Sequence, residues 1–412
     1  MNNGKLLSIL GLAASILVVF VLLSFMQKPN KLASTSIQVP EILQRSDRIQ
    51  NGKEWDQIQN AYTHNKNLFT KDQKDYESAL NLAYIYIKEA RVTGEHGHYY
   101  PSALKMIDVI LKQEEIDKDL KFRARTTKAG VLLSLHEFEA AKAEGEMALE
   151  LNPNNAQVYG VLVDANIELG NYSKAVELSE KMINIKPDLR SYARISYLRE
   201  IHGDVKGAKQ AMEMAVRAGY PGTEDTAWAM LTLAELYQRY GDLENAKKVY
   251  EQTIKLRSDY PFAIGGLGEI AYENKEYKLA ESTIQNAMDI IPEVGFYIQM
   301  AQLYKDQNRT EEFDAMMSDI LVMLKDDTDS GHNMNLEYAN IYLNLLDDTE
   351  KAYKYASIEY QKRPLNIDVN LMMAEIEYAN NNIAKSKEHT IKAFKTNTKN
   401  PDLVSLSEKL FS

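Results

Sequence analysis

The sequence predicts an all-α solenoid of about nine helix–turn–helix repeats standing behind one N-terminal transmembrane helix. Three observations carry that expectation. Apolar residues recur at i, i+3, i+4 and i+7 from about Lys53 to the end, with almost none of the period-two alternation that marks strands. The chain is self-similar at a spacing of 34 residues: Pro153 and Pro187, Ala141 and Ala175, and Ala246 and Ala280 are each that far apart. A long run near the N-terminus carries no charge.

That run, LLSILGLAASILVVFVLLSFM, extends 21 residues from Leu6 to Met26. At about 1.5 Å per residue, a helix of this length matches a hydrocarbon core roughly 30 Å thick. A cleaved signal peptide is the competing reading, but its apolar region is usually about 7–15 residues and small residues follow at once. Here Gln27, Lys28, Pro29, Asn30 and Lys31 come first, and the small cluster Ala33, Ser34, Thr35 and Ser36 comes later. The run therefore reads as an uncleaved signal anchor. Lys5 on one side faces Lys28 and Lys31 on the other, so charge asymmetry is slight; the preferred orientation is N-in, with the repeats on the far, extracytoplasmic side. Residues 27–50, with Pro29, Pro40 and the Ser/Thr cluster, read as a polar tether. Residues 53–70 read as a helical cap and 71–412 as the solenoid.

Two consecutive units span residues 122–155 and 156–189, and the same small residues return in unit after unit. Where the first helix would cross its partner stand Ala129, Val163, Ser196, Ala234, Gly268, Ala301, Ala339 and Ala374. Early in the second helix come Ala141, Ala175, Ala208, Ala246, Ala280, Phe313, Ala352 and Ser386, and later in it Ala148, Met182, Ala215, Thr253, Ala287, Ile320, Glu359 and Ala393. Small side chains let antiparallel helices approach closely, and the exit prolines, such as Pro153, Pro187 and Pro364, end each unit because proline cannot continue a helix. Gly170, Gly203 and Gly241, each followed by Asn or Asp, supply inter-helix turns. This pattern resembles the tetratricopeptide repeat (TPR) family, over roughly residues 70–412. The resemblance implies a right-handed solenoid whose first helices line a concave face suited to a peptide or helix. Insertions of about four residues near 219–224 and 326–332 would be places where the superhelix changes pitch or exposes a loop.

On the expected concave face, Arg190 and Arg194 stand four apart, able to fork onto a carboxylate. Family members that grip a C-terminal carboxylate carry two basic residues at these positions, but Thr126, Gly130 and Val161 stand where the rest of that clamp would be. The plainer reading pairs the two arginines with surface acids such as Asp188. Tyr159, Asp164, Tyr197, Trp228, Glu235, Phe262, Glu269 and Tyr272 would give an acidic, aromatic groove for a basic or amphipathic segment, although most of the 25 tyrosines occupy packing positions. Gly160, Gly265 and Gly266 either admit a ligand backbone or allow tight helix contact. His96 and His98 form an H-x-H without further local metal ligands.

Acidic residues outnumber basic ones 59 to 48, for a formal charge of -11, and no basic stripe exists that would track phosphates. Nucleic acid is therefore not an expected partner. The absence of cysteine removes disulfides, thiolate nucleophiles and Cys-type metal sites while leaving the compartment open. No P-loop, nucleophile elbow, dinucleotide fingerprint or H-E-x-x-H motif occurs, so neither an enzyme nor a cofactor is expected. The leading reading is a membrane-tethered scaffold that docks a partner protein. The alternatives are a regulatory or accessory subunit of a membrane or envelope-polymer enzyme, and a self-associating structural protein.

Overall fold

Among the described residues a single residue in a left-handed conformation closes each helical hairpin, and nine such hairpins follow one another. The computed structural model describes residues 36–412. The 21-residue apolar run and the first part of the expected tether lie outside the described residues. Among the described residues no helix is long and apolar enough to cross a membrane, and there is no strand.

A cap helix, α1 (Gly52–Lys71), precedes the hairpins. These pair α2 (Tyr76–Thr93) with α3 (His96–Leu111), α4 (Lys118–Ser134) with α5 (Phe138–Leu151), and α6 (Ala156–Glu168) with α7 (Tyr172–Ile185). They continue with α8 (Leu189–Ile201) and α9 (Val205–Ala218), α10 (Glu224–Arg239) and α11 (Leu243–Leu256), and α12 (Pro261–Glu273) and α13 (Tyr277–Met288). The last three are α14 (Val294–Asp306) with α15 (Thr310–Asp329), α16 (Asn335–Asn344) with α17 (Thr349–Lys362), and α18 (Ile367–Ala379) with α19 (Ile383–Ala393). A lone amphipathic helix, α20 (Pro401–Phe411), closes the array by burying Leu403, Leu406 and Leu410.

The turn residues are Gly94, His136, Gly170, Gly203, Gly241, Lys275, Asn308, Asp347 and Asn381, all at positive φ. In seven of the nine turns the amide just past this residue donates to the carbonyl five residues back, as Asn171 does to Asn166 at 2.7 Å and Asn382 to Glu377 at 2.7 Å. That bond satisfies carbonyls the helix end would otherwise leave bare. Side-chain caps then start the next helix: Asp117, Asn155, Asp204, Asp242 and Asn366 each accept from the first turn, and Asp188 with Ser191 forms a capping box.

The small residues sit where helices cross. Ala129, Val163, Ala234, Ala301, Ala339 and Ala374 are fully buried, as are Ala141, Ala175, Ala208, Ala246, Ala280 and Ala352. A Cβ on Gly268 would stand 2.6 Å from Ile284 of the paired helix, so any side chain there forces the hairpin apart. Glu359 departs from the rule: it occupies an alanine slot at 1% exposure. Its carboxylate accepts from Arg363 Nε and Asn333 Nδ2, both at 2.8 Å, and from Asn335 Nδ2 at 3.0 Å.

One expectation is corrected here and another is refined. From residue 37 onward the tether is a docked strap, because Tyr62 and Tyr86 both donate to the Pro40 carbonyl and Leu43 N donates to Tyr99 Oη at 2.9 Å. Arg45 is buried beneath it, bonded to Glu89 through Nε at 2.8 Å and Nη2 at 2.6 Å and laid over Trp55. The two insertions also differ from each other. The first exposes a loop, with Tyr220 81% accessible, whereas the second lengthens α15 to 20 residues and sends the following loop against another part of the array.

That last contact is one of a series that joins successive turns of the superhelix. Asn333 N donates to the Leu135 carbonyl and His136 Nδ1 meets the Asn333 carbonyl, each at 3.0 Å. Arg363 Nη1 bonds Glu168 at 2.6 Å, Asn366 Nδ2 donates to the Glu168 carbonyl at 2.9 Å, and Ile367 N to Tyr172 Oη at 2.8 Å. At the N-terminal end Arg257 Nη1 reaches Glu54 at 2.9 Å, and Arg48 pairs with Asp259. Partners in the turn-to-turn bonds made by Arg257, His136, Arg363, Asn366 and Ile367 lie 195–203 residues apart.

Candidate functional site: the concave wall

First helices of consecutive units stack directly on one another along the array, α2 on α4 on α6 on α8 on α10 on α12 on α14, and again α16 on α18. The step from α14 to α16, across the second insertion, is looser. This row forms one continuous wall, and its side chains link across it as rungs.

Arg194 donates to Asp164 of the preceding unit through Nε at 2.9 Å and Nη2 at 2.5 Å, and to the Gly160 carbonyl at 3.1 Å. Its guanidinium is therefore satisfied internally, and it does not form a free carboxylate fork with Arg190. Arg190 is about half exposed and reaches Asp225 of the next unit at 3.4 Å, while Asp188 takes only its backbone amide. Further rungs join Arg239 to Glu200, Gln238 and Gln299 to Glu269, Tyr272 to Asp306, and Lys305 to Asp347. Of the ten residues singled out from sequence, Arg190, Arg194, Asp164, Glu269 and Tyr272 are rungs. Tyr159 is core: it is 8% exposed and donates to the Pro153 carbonyl at 2.9 Å. Phe262 and Tyr197 are half-buried against the core. Trp228, at 44% exposure, and Glu235, which makes no ion pair, remain open to a partner.

The glycines are packing residues. A Cβ on Gly265 would stand 2.6 Å from Phe296, and one on Gly266 2.3 Å from Tyr250; on Gly160 it would press Arg194 at 3.1 Å. His98 Nε2 meets the Glu41 carbonyl at 2.8 Å, whereas His96 stacks on Tyr100 near His332, so the H-x-H pair is divided between two surroundings. Among the described residues no three His, Asp or Glu side chains stand at metal-ligand spacing.

The wall gathers carboxylates whose ionisation is opposed by their surroundings. Burial pushes Glu235 up to about 7, with Arg239 opposing and Glu269 and Glu200 adding to the shift. Burial also lifts Glu168 to about 7 against the pull of Arg363, with Asp368 and Asp164 contributing. Asp164 and Asp368 are raised by burial despite neighbouring arginines. Asp368 is nonetheless accessible to water, a combination expected of a narrow lumen with protein on most sides. Sequence reasoning missed Glu168, Asp368 and Arg363, because the turn-to-turn approach that assembles them has no local signature, and it missed the rung that joins Arg239 to Glu200 of the preceding unit.

The family model for the tetratricopeptide repeat matches residues 156–189 and 229–260, within units α6–α7 and α10–α11, so the chain carries repeats of this type. Over 165 residues the chain is 22% identical to the cellulose synthase operon protein C of Pseudomonas fluorescens (strain SBW25). That match covers 38% of this chain and spans 13% of the relative's length. Among solved structures, the APC/C hetero-tetramer Cut9–Hcn1 aligns over 87% of this chain and 60% of its own, at 12% identity and a TM-score of 0.47. PilF of Pseudomonas aeruginosa aligns over 57% of this chain and 97% of its own, at 16% identity and a TM-score of 0.41.

Proposed function

We propose that this chain is a membrane-tethered docking scaffold that seats a basic or amphipathic segment of a partner protein on its concave wall. One observation carries the reading: on the row of first helices Glu235 and Asp368 have no ion-pair partner among the described residues, while Trp228 lies open on the same row. Unpaired carboxylates raised by burial gain from a cation that brings its own apolar surface. The repeat architecture supports protein partners in general. The uncharged run from Leu6 to Met26 supports the tether, and we place the repeats on the extracytoplasmic side.

Fluorescence anisotropy on the full chain in detergent tests this, using a labelled Lys/Leu amphipathic helix and its Glu/Leu counterpart. The Lys/Leu peptide is expected to bind more tightly, and Trp228→Ala with Glu235→Gln to weaken it by about 2 kcal/mol, roughly 30-fold. Equal binding of both peptides, or no effect of the two substitutions, would rule the wall out as the docking surface. A second reading is favoured by the 165-residue match: an accessory subunit of a membrane enzyme that makes or exports an envelope polysaccharide. Polymer synthesis by such an enzyme in membranes would then change on titration with the full chain, and an unchanged rate would count against it.

A further inference from the structure

We infer that the turn-to-turn contacts form a clasp, a seam that opens and shuts as one element while every repeat stays folded. This goes beyond the docking reading and does not depend on what the lumen binds.

A solenoid takes its stability from nearest-neighbour stacking, so contacts between residues some 200 positions apart are not required to hold it together. Here they are nevertheless closely fitted. Gly170 and Gly203 are turn residues at φ +77 and +78, and each also lies against the next superhelical turn. A Cβ on Gly170 would stand 2.4 Å from the Leu365 carbonyl carbon, and one on Gly203 2.4 Å from the Asn397 carbonyl oxygen. Gly241 has the same backbone, at φ +76, with nothing within 4 Å. Backbone hydrogen bonding requires the left-handed residue at all three turns, but only two of them are pressed against by the chain passing above.

Much of the rest of the seam is polar and charged: Arg363 with Glu168, Asn366 with the Glu168 carbonyl, Asn333 with the Leu135 carbonyl, and Arg257 with Glu54; its apolar share is Ile367, buried in the cluster of Phe122, Tyr172 and Ile201, and Ile49 and Val92, clustered with Ile264 and Ile291. The polar contacts exchange for water at small net cost, while the apolar ones favour the shut form. Shutting the seam also joins Arg363 to Glu168, with Asp368 close by, so opening it would uncover this group of charges. Two packings that differ only in these contacts are the kind of bistable element from which switches are built.

The chain has no cysteine, which allows two spin labels to be placed cleanly. Lys206 and Lys399 are both exposed and line one surface hollow on opposite sides of the seam. Double electron–electron resonance on the full chain labelled at Lys206→Cys and Lys399→Cys should give a dominant short distance at low salt. Raising salt to about 1 M, where the screening length falls to about 3 Å, should move population to longer distances. Gly170→Asn with Gly203→Asn should do the same at low salt, with helical circular dichroism unchanged. Asparagine tolerates the left-handed region and already holds the equivalent turns at Asn308 and Asn381, so these changes test the seam and not the turns. Gly241→Asn should leave the distance alone. The clasp is overturned if the parent keeps one distance at both salt concentrations, if the double variant matches the parent, or if Gly241→Asn shifts the distance as far as the double variant does.

Discussion

The two ends of the array are closed by opposite means. At the N-terminal end a strap, residues 37–49, is held over α1 to α3 by tyrosine hydroxyls and by a buried ion pair in which neither Arg45 nor Glu89 exposes any side-chain surface. At the C-terminal end a single helix, α20, lays three leucines on its neighbours. The first end is specified by charges and hydrogen bonds that fit in one way only, the second by apolar area that tolerates small adjustments. Terminal caps are needed wherever a stack of repeats would leave a hydrophobic face bare. Here they differ in what disrupts them.

The largest effect is expected from Arg45→Met, which leaves Glu89 buried and unpaired and should cost about 3–5 kcal/mol in denaturant unfolding. Adding Glu89→Leu should recover most of that loss, because the penalty arises from the orphaned charge; a double variant as weak as the single one would contradict this. Leu406→Ala, at the other end, should cost about 2 kcal/mol, the low side for a buried leucine, since α20 has room to settle. Tyr62→Phe removes one hydroxyl from the strap and should cost about 1 kcal/mol.

Acidity should separate the two ends with opposite sign. Glu54 lies between the strap and Arg257; burial opposes its ionisation, but the Arg257, Lys88 and Arg45 cations prevail and hold it at about 2. Its contribution is fully present above about 4.5 and is lost as pH falls from there toward 2. Glu375, near Asp402 of α20, is pushed up to about 7, first by burial and then by that neighbour, with Lys409 opposing. The folded cap then holds a proton that the unfolded chain releases, so C-terminal stability declines as pH rises from about 4.5 through 7. Hydrogen exchange followed at both ends should therefore show α20 protected more at pH 5 than at pH 7.5. The strap should be indifferent across that range and loosen only below about 4.5. Parallel behaviour at the two ends would remove the electrostatic half of the comparison.

The repeat core was the most legible part of the sequence, because a buried crossing point admits only small side chains, and Ala129, Ala234 and Ala301 mark it without help from context. The turns were half legible. Glycine declares a left-handed residue, but His136, Lys275, Asn308, Asp347 and Asn381 adopt the same conformation, since the hydrogen bonds gained repay a modest backbone strain. The wall misleads in its choice of partner: the sequence offers Asp188 as an acid for Arg194, whereas Arg194 and Asp164 of the preceding unit satisfy one another. The strap reads as tether in sequence because its polar composition conceals Val39 and Arg45, whose burial depends on partners in α1 to α3. The seam could not be read at all, since contacts some 200 residues apart impose no periodicity.

The pressing of Leu365 on Gly170 and of Asn397 on Gly203 has a consequence for descent. Open solenoids lengthen and shorten freely by duplication or loss of a unit, because every internal junction is alike. In this chain an added unit between α7 and α18 would carry Leu365 about one repeat past Gly170 and bring a different surface over it. Gene duplication that is harmless in other arrays would be selected against here, so lineages retaining the seam should keep the same number of units between its two halves while surface loops vary.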